Sequence, residues 1–168
     1  KALPNHNIFF IPDCNLGRHI AAHVPEKNFI FNEGYCPIHN VITVEEVMEV
    51  KNQHPEAKIL IHPECIPEVV ALADYAGSTS GIIEYAEKSD AKEFIIVTEE
   101  GVMYELGRRC PGKKFYQPKK TPICPGMKLV TLEKVAKVLE TYENKVELEE
   151  SFRARAELPL NKMLELAK

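Results

Sequence analysis

KILIHPECIPEVVALADYAGSTSGII, residues 58 to 83, decides how this chain folds. Ile59, Leu60 and Ile61 form a short apolar run that stops abruptly at His62, Pro63, Glu64 and Cys65. A short apolar run closed by turn residues and followed by a helical pattern is the sign of a buried parallel strand in a βαβ unit. The predicted strand is Lys58–Ile61, and the predicted helix runs from Pro67 to Asp74, with Pro near its first turn. Tyr75-Ala76 reads as a strand end before the polar knot Gly77-Ser78-Thr79-Ser80-Gly81, and a helix from Gly81 to Lys88 follows.

The same rhythm extends in both directions. Upstream, Asn7–Ile11 reads as a strand, Asn15–Ala22 as a helix and Phe29–Phe31 as a strand that runs into a loop carrying Cys36. Thr43 to Gln53 is a helix opened by a capping box, Thr43 with Glu46 three residues on. Downstream, Phe94–Thr98 is a strand, Gly101–Arg108 a helix and Lys114–Tyr116 a strand. A Pro-rich loop, Gln117–Met127, contains Cys124. Thr131–Tyr142 is an amphipathic helix, and a final helical pattern reads as broken near Pro159. Alternating strands and helices predict an α/β fold: repeated three-layer αβα units with short parallel sheets.

Composition narrows the functional classes. Among 168 residues, 21 basic stand against 25 acidic, a formal net charge of −4, which gives no electrostatic footprint for nucleic acid or an anionic membrane. No apolar run approaches the roughly 20 residues a bilayer span needs. The opening KALPNHNIFFIPD lacks both an initiator Met and the order of a signal peptide, and it reads as a chain cut into. Five cysteines, at 14, 36, 65, 110 and 124, are odd in number, irregular in spacing and without a CxxC pair. A secreted disulfide framework would be even and denser, so reduced thiols in a cytoplasmic protein fit better.

Ligands of parallel α/β sheets collect outside the carboxyl ends of the strands. Cys36, the His62–Cys65 run, Ser78-Thr79 and Cys124 each follow a predicted strand. Ser78-Thr79 also precedes a helix, where free N–H groups suit a carboxylate or phosphate. One rim thus offers thiolates, an imidazole, a carboxylate and an anion-binding turn. Blander uses exist for each group. A free cysteine is commonly a small buried hydrophobe, which is the expectation for Cys14 and Cys65, while Cys110 in GRRCPGKK reads as a surface turn. Ser78 and Thr79 could simply cap a helix. His6, His19, His23 and His54 carry no motif. Arg108, Arg109, Lys113 and Lys114 read as a solvated loop, and Glu147, Glu149 and Glu150 likewise as solvated.

The stretch HPEC-x-PEV-x-x-LAD-x-x-GSTSGI resembles the quinolinate synthases, iron–sulfur enzymes of NAD biosynthesis. PD-x-NLG at 12–17, GYCPIH at 34–39, and KFY with C-x-GMK at 114–128 extend the resemblance over nearly the whole chain. It implies a [4Fe–4S] cluster held by three cysteines, one from each of three similar α/β domains. Cys36 and Cys124 match two of them, and the third would belong to a first domain upstream of Lys1. Residues 1–40 would complete the second domain, 41–122 form the third, and 123–168 carry the ligand loop and C-terminal helices packed on the first. The family pattern puts His62, Pro63, Glu64 and Thr79 at the substrate, with Ser78 and His39 close by, and makes Glu64 and His62 the catalytic pair. The substrates implied are iminoaspartate and dihydroxyacetone phosphate, with an L-aspartate oxidase or dehydrogenase as the source of the first. The other function open to the chain is a truncated, non-catalytic α/β module that binds metal or a phosphometabolite. Two cysteines cannot hold an open-site cluster in the family's way unless a third is supplied, so ligand count separates the two.

Overall fold

The computed structural model describes residues 3–120 and 122–167. The chain divides into two compact units, His6–Cys124 and a second built mainly from residues 125–167.

In the first unit, β1 (Asn7–Phe10), α1 (Cys14–Ala22) and β2 (Asn28–Phe31) make one βαβ turn. The two strands pair in parallel, from Asn7 opposite Asn28 to Phe10 opposite Phe31. There follow α2 (Val44–Gln53), β3 (Lys58–Ile61), α3 (Pro67–Val70), β4 (Tyr75–Ala76), α4 (Thr79–Lys88), β5 (Glu93–Val97), α5 (Val102–Arg109) and β6 (Lys114–Tyr116). These strands form one parallel sheet in the order β4-β3-β5-β6.

Strand alternation explains why the second sheet lies between two helical layers. Ile59, Ile61, Ile95 and Val97 point to one face and pack with Val47 and Val50 of α2 and Val69 of α3. Leu60, Phe94 and Ile96 point to the other and pack with Ile82, Ile83 and Ala86 of α4 and Val102 and Leu106 of α5. A parallel sheet covered on both faces needs apolar residues at every strand position, which is what Ile59–Ile61 and Phe94–Val97 provide. The fold is α/β, with short parallel sheets and αβα layering.

The predicted elements are all present, with adjusted ends. The capping box of α2 forms as expected, the Glu46 N–H donating to Thr43 Oγ1 and the Thr43 N–H to Glu46. The helix expected over Pro67–Asp74 stops at Val70. Asp74 is needed elsewhere: its N–H donates to the Ile59 carbonyl at 2.9 Å, and its carboxylate accepts from the Ile59 N–H at 2.8 Å. That double bond turns the chain into β4 beside β3. Helix α4 begins two residues before Gly81, because the Ser78 hydroxyl accepts from the Gly81 N–H and caps it.

Two readings are corrected. Cys110 is buried in the core beneath α4 and α5, not on a surface turn; its hydrophilic neighbours hide that it closes α5 on the inner face. The basic residues Arg108, Arg109 and Lys114 are solvent-exposed as expected, but they lie on α5 and β6 and not in a loop, and each basic residue here finds a partner. Arg108 pairs with Glu105, Arg109 with Glu87 and Lys114 with Glu93, while Lys113 donates to the Ala86 and Ser89 carbonyls.

In the second unit, a 3-10 turn at Met127–Leu129 leads to α6 (Leu132–Thr141) and α7 (Glu150–Leu166). Thr131 caps α6, and Glu149 caps α7. Helix α7 continues through Pro159, against the expected break. A proline's φ suits a helix, although it lacks one N–H donor and crowds the carbonyl four residues back; ion pairs of Arg153 with Glu150 and Glu157 and of Lys162 with Glu165 lie on either side. Every described residue from Leu132 onward is exposed, including Leu139, Phe152, Leu160 and Met163. Among the described residues no helix is long and apolar enough to cross a membrane.

Candidate active site

Parallel pairing sends the ends of β3 and β5 to one rim, and the functional side chains begin there. The His62 N–H donates to the Val97 carbonyl, extending the β3–β5 ladder by one residue. Pro63 then fixes its own φ and keeps His62 extended. The chain turns at once, the Cys65 N–H donating to the His62 carbonyl at 3.0 Å. Glu64 is thereby presented at the rim, and Cys65 is folded back into the core.

The Cys36 loop comes from the other sheet. Its entry passes Gly34, where a Cβ would lie 2.4 Å from the Pro12 carbonyl oxygen, so only glycine fits. Asp13 holds the loop's far end: one carboxylate oxygen accepts from the Leu16 N–H and caps α1, and the other accepts from the Cys36 N–H at 2.8 Å. Asn15 ties the two segments together, donating to Asn40 Oδ1 at 2.9 Å and to the Glu64 carbonyl at 3.1 Å.

Cys36, His39 and Glu64 consequently meet, with their ligand atoms all within 4.8 Å of one another. His39 Nδ1 lies 3.2 Å from Cys36 Sγ and 3.2 Å from Glu64 Oε2. His62 Nδ1 is 3.8 Å from the same carboxylate oxygen, and the His39 and His62 rings stack at 4.7 Å. On its far side His39 Nε2 meets the Thr98 hydroxyl at 3.0 Å. A carboxylate beside Nδ1 favours the proton there, which leaves Nε2 to accept from Thr98.

The local electrostatics follow from burial. His39 is lowered to about 4 by burial and by His62, against the opposing pull of Asp13 and Glu99. Burial also lowers His62, with Asp13 opposing. Both rings are therefore neutral near pH 7. The Glu64 carboxyl is raised, chiefly by burial and then by the negative charge of Asp13, while a hydrogen bond with Cys36 pulls the other way. Burial pushes the Cys65 thiol up to about 12, with Cys36, Glu64 and Asp13 adding to it.

Cys124 reaches the same rim along a different route. Its N–H donates to Glu99 Oε1 at 3.2 Å, directly after β5. The five cysteines are all free, and they sort by accessibility. Cys14, Cys65 and Cys110 are buried, whereas Cys36 and Cys124 are half-exposed at the strand ends. Ser78 and Thr79 are exposed at the end of edge strand β4, where Ser78 caps α4. Asp13, Asn15, Asn40, Thr98 and Glu99 belong to the site but were not singled out from the sequence. Asp13 and Asn15 do lie in the PD-x-NLG segment, and Thr98-Glu99 directly follow a predicted strand, so position relative to a strand end was the available signal.

Comparison with known proteins places the chain in a family. The family model described as quinolinate synthetase A protein matches residues 1–165. Proteins named quinolinate synthase are similar throughout: one from Caldicellulosiruptor saccharolyticus is 49% identical over 99% of this chain and 55% of its own length. One from Fusobacterium nucleatum is 47% identical over 98% of this chain and 55% of its own, and one from Clostridioides difficile 46% over 99% and 54%. The chain spans about half the length of these curated relatives. With the match running from end to end, the chain belongs to the quinolinate synthetase A family.

Proposed function

We propose that this chain forms the greater part of the active site of a quinolinate synthase, which condenses iminoaspartate with dihydroxyacetone phosphate and releases phosphate and water as a pyridine ring closes. The observation that carries this is the meeting of Cys36, His39 and Glu64 at the strand ends. The donor set suits an iron–sulfur cluster: two half-exposed, unpaired thiols, Cys36 and Cys124, stand on loops at one rim while the other three cysteines are sealed in the core. The third thiolate comes from outside these 168 residues. A [4Fe–4S] cluster held by three thiolates supplies, when bound, an iron without a protein ligand that acts as a Lewis acid on a substrate oxygen.

The chain's own residues supply the rest. Glu64 is the proton carrier: burial raises its carboxyl, which makes it a better base than an exposed carboxylate. His62, neutral and 3.8 Å away, receives or returns that proton. Pro63 holds both in fixed directions. His39, wedged between Cys36 and Thr98, offers a neutral imidazole to a polar substrate group. Ser78 and Thr79 open α4, whose free N–H groups suit the phosphate or a substrate carboxylate.

Residues 1–40 are the end of one α/β domain and 41–122 the next, with 123–168 bearing the Cys124 loop and helices that cover a further domain. The two-stranded β1–β2 sheet favours this division, since so small a parallel sheet is marginal unless extended and covered. Iminoaspartate would come from an L-aspartate oxidase or dehydrogenase, and the reaction would take place in the cytoplasm. The test is anaerobic reconstitution of the holoenzyme and its Cys36→Ala and Cys124→Ala variants. Loss of the cluster spectrum and of quinolinate in both is expected; a full cluster in either would reject that cysteine as a ligand.

A further inference from the structure

Three side chains at the rim stand as the corners of a coordination site for a single ion. The ligand atoms of a tetrahedral zinc ion lie roughly 3.3–3.6 Å apart, given bonds of about 2.0–2.3 Å. His39 Nδ1 is 3.2 Å from Cys36 Sγ and 3.2 Å from Glu64 Oε2, and all three atoms lie within 4.8 Å of one another. A sulfur, an imidazole nitrogen and a carboxylate oxygen make a mixed donor set that suits zinc or ferrous iron, and not magnesium or calcium. His62 does not supply a fourth corner, because its Nδ1 accepts from the Glu64 N–H at 3.3 Å. That position is left to water or a substrate group.

Each corner is braced from behind. The Cys36 N–H donates to Asp13, the Glu64 carbonyl accepts from Asn15, and His39 Nε2 meets the Thr98 hydroxyl at 3.0 Å. Ligand histidines characteristically present their second ring nitrogen to such a partner. With an ion on Nδ1, the imidazole carries its proton on Nε2 and donates to Thr98 Oγ1, the reverse of the metal-free arrangement. The thiolate and carboxylate balance a divalent charge, and Asp13 and Glu99 add negative potential at His39. We propose that Cys36, His39 and Glu64 form a mononuclear site for one divalent transition metal, zinc or ferrous iron. The site needs neither Cys124 nor sulfide, so it stands independently of the cluster. On the reading of Cys36 as a cluster ligand, the two occupants exclude each other, because one sulfur is spent on one or the other.

Cobalt(II) and zinc are the probes, added to the 168-residue chain prepared without iron or sulfide. One cobalt per chain is expected, with a thiolate-to-metal charge-transfer band and the strong visible bands of a four-coordinate ion, all removed by one equivalent of zinc. Cys36→Ala should abolish the charge-transfer band. Thr98→Val should weaken binding about tenfold, as the loss of an outer-shell partner does, and Glu64→Gln and His39→Ala should weaken it further. Far-ultraviolet circular dichroism shows which variants fold; if buried His39→Ala does not, the half-exposed Cys36 and Glu64 decide. Cys124→Ala should bind as the parent does, and so should His19→Ala, which breaks the imidazole pair on α1. Absence of the thiolate band in the parent, or parent affinity in folded Cys36→Ala or Glu64→Gln, overturns the site. Loss of the band in Cys124→Ala also overturns it, since the ion would then lie elsewhere. A cobalt site intact in Cys124→Ala, in a variant whose holoenzyme takes up no cluster, supports both readings. A full cluster in the Cys36→Ala holoenzyme rejects Cys36 as a cluster ligand only, and the cobalt result alone then decides the mononuclear site.

Discussion

Glu64 sits between two imidazoles and beside a thiol, a position in which a carboxylate's charge and its shape can be tested separately. Glu64→Gln keeps the shape and the contact to His39 but loses the basicity. The expected outcome in the holoenzyme is an intact cluster, by iron content and absorption, with quinolinate formation reduced by at least about 100-fold, the size of a typical general-base contribution. Near-normal turnover would make Glu64 a structural residue. At this scale the sequence disclosed the groups that the fold brings together, because His62 and Glu64 come straight after β3 and Cys36 lies in the loop that follows β2. It did not disclose Asp13 or Glu99. Each holds a cysteine N–H more than twenty residues away, at 36 and 124, and a carboxylate after a strand has too many ordinary uses to announce that one. Cys110 was misjudged for a related reason: GRRCPGKK is polar on average, but burial is decided residue by residue at a helix end.

Strands β3 and β5 carry the sheet, and their periodicity made them readable: runs such as Ile59–Ile61 and Phe94–Val97 have no other stable place than a doubly covered sheet. Ile96→Ala, at a fully buried position, is expected to cost about 2–5 kcal/mol, measurable by urea unfolding. The length of α3 was not readable, because its end is set by Asp74 reaching back to Ile59, a tertiary bond. Asp74→Ala should lose about 1 kcal/mol at neutral pH, the worth of an ordinary hydrogen bond. Burial pushes the Asp74 carboxyl up, but the Lys58 and Ile59 hydrogen bonds and the lysine charges outweigh it, and the net shift is downward. A carboxyl lowered on folding stabilises above its unfolded value of about 3.9 and loses that contribution as pH falls through the folded value. Thermal melts of parent and variant should thus differ at pH 7 and converge in acid; a constant gap would exclude ionised Asp74 as the cause.

At the scale of the whole chain, the exposed apolar side chains among the described residues include Phe9, Ile11 and Ile30 around the β1–β2 sheet, and Leu139, Phe152, Leu160 and Met163 on α6 and α7. Surface of that kind promotes association. Taken alone, this chain is expected to run larger than a monomer on size exclusion. Hydrogen exchange should be slowest in β3 and β5 and fast from Leu132 onward, where no described residue is buried. A monomeric species with a protected α7 would contradict this. The break expected at Pro159 illustrates the limit of local rules at this scale, since α7 runs on through the proline.

Asp13 and Glu99 perform the same service for the two half-exposed cysteines: each gives a carboxylate oxygen to the peptide N–H of the residue that bears the sulfur. The loops are thus moored by their main chain and not by what the sulfurs hold. Were the thiols to hold the proposed cluster, its loss would leave both loops tied in place, and the lifetime of the cofactor and the lifetime of the fold would be separate quantities.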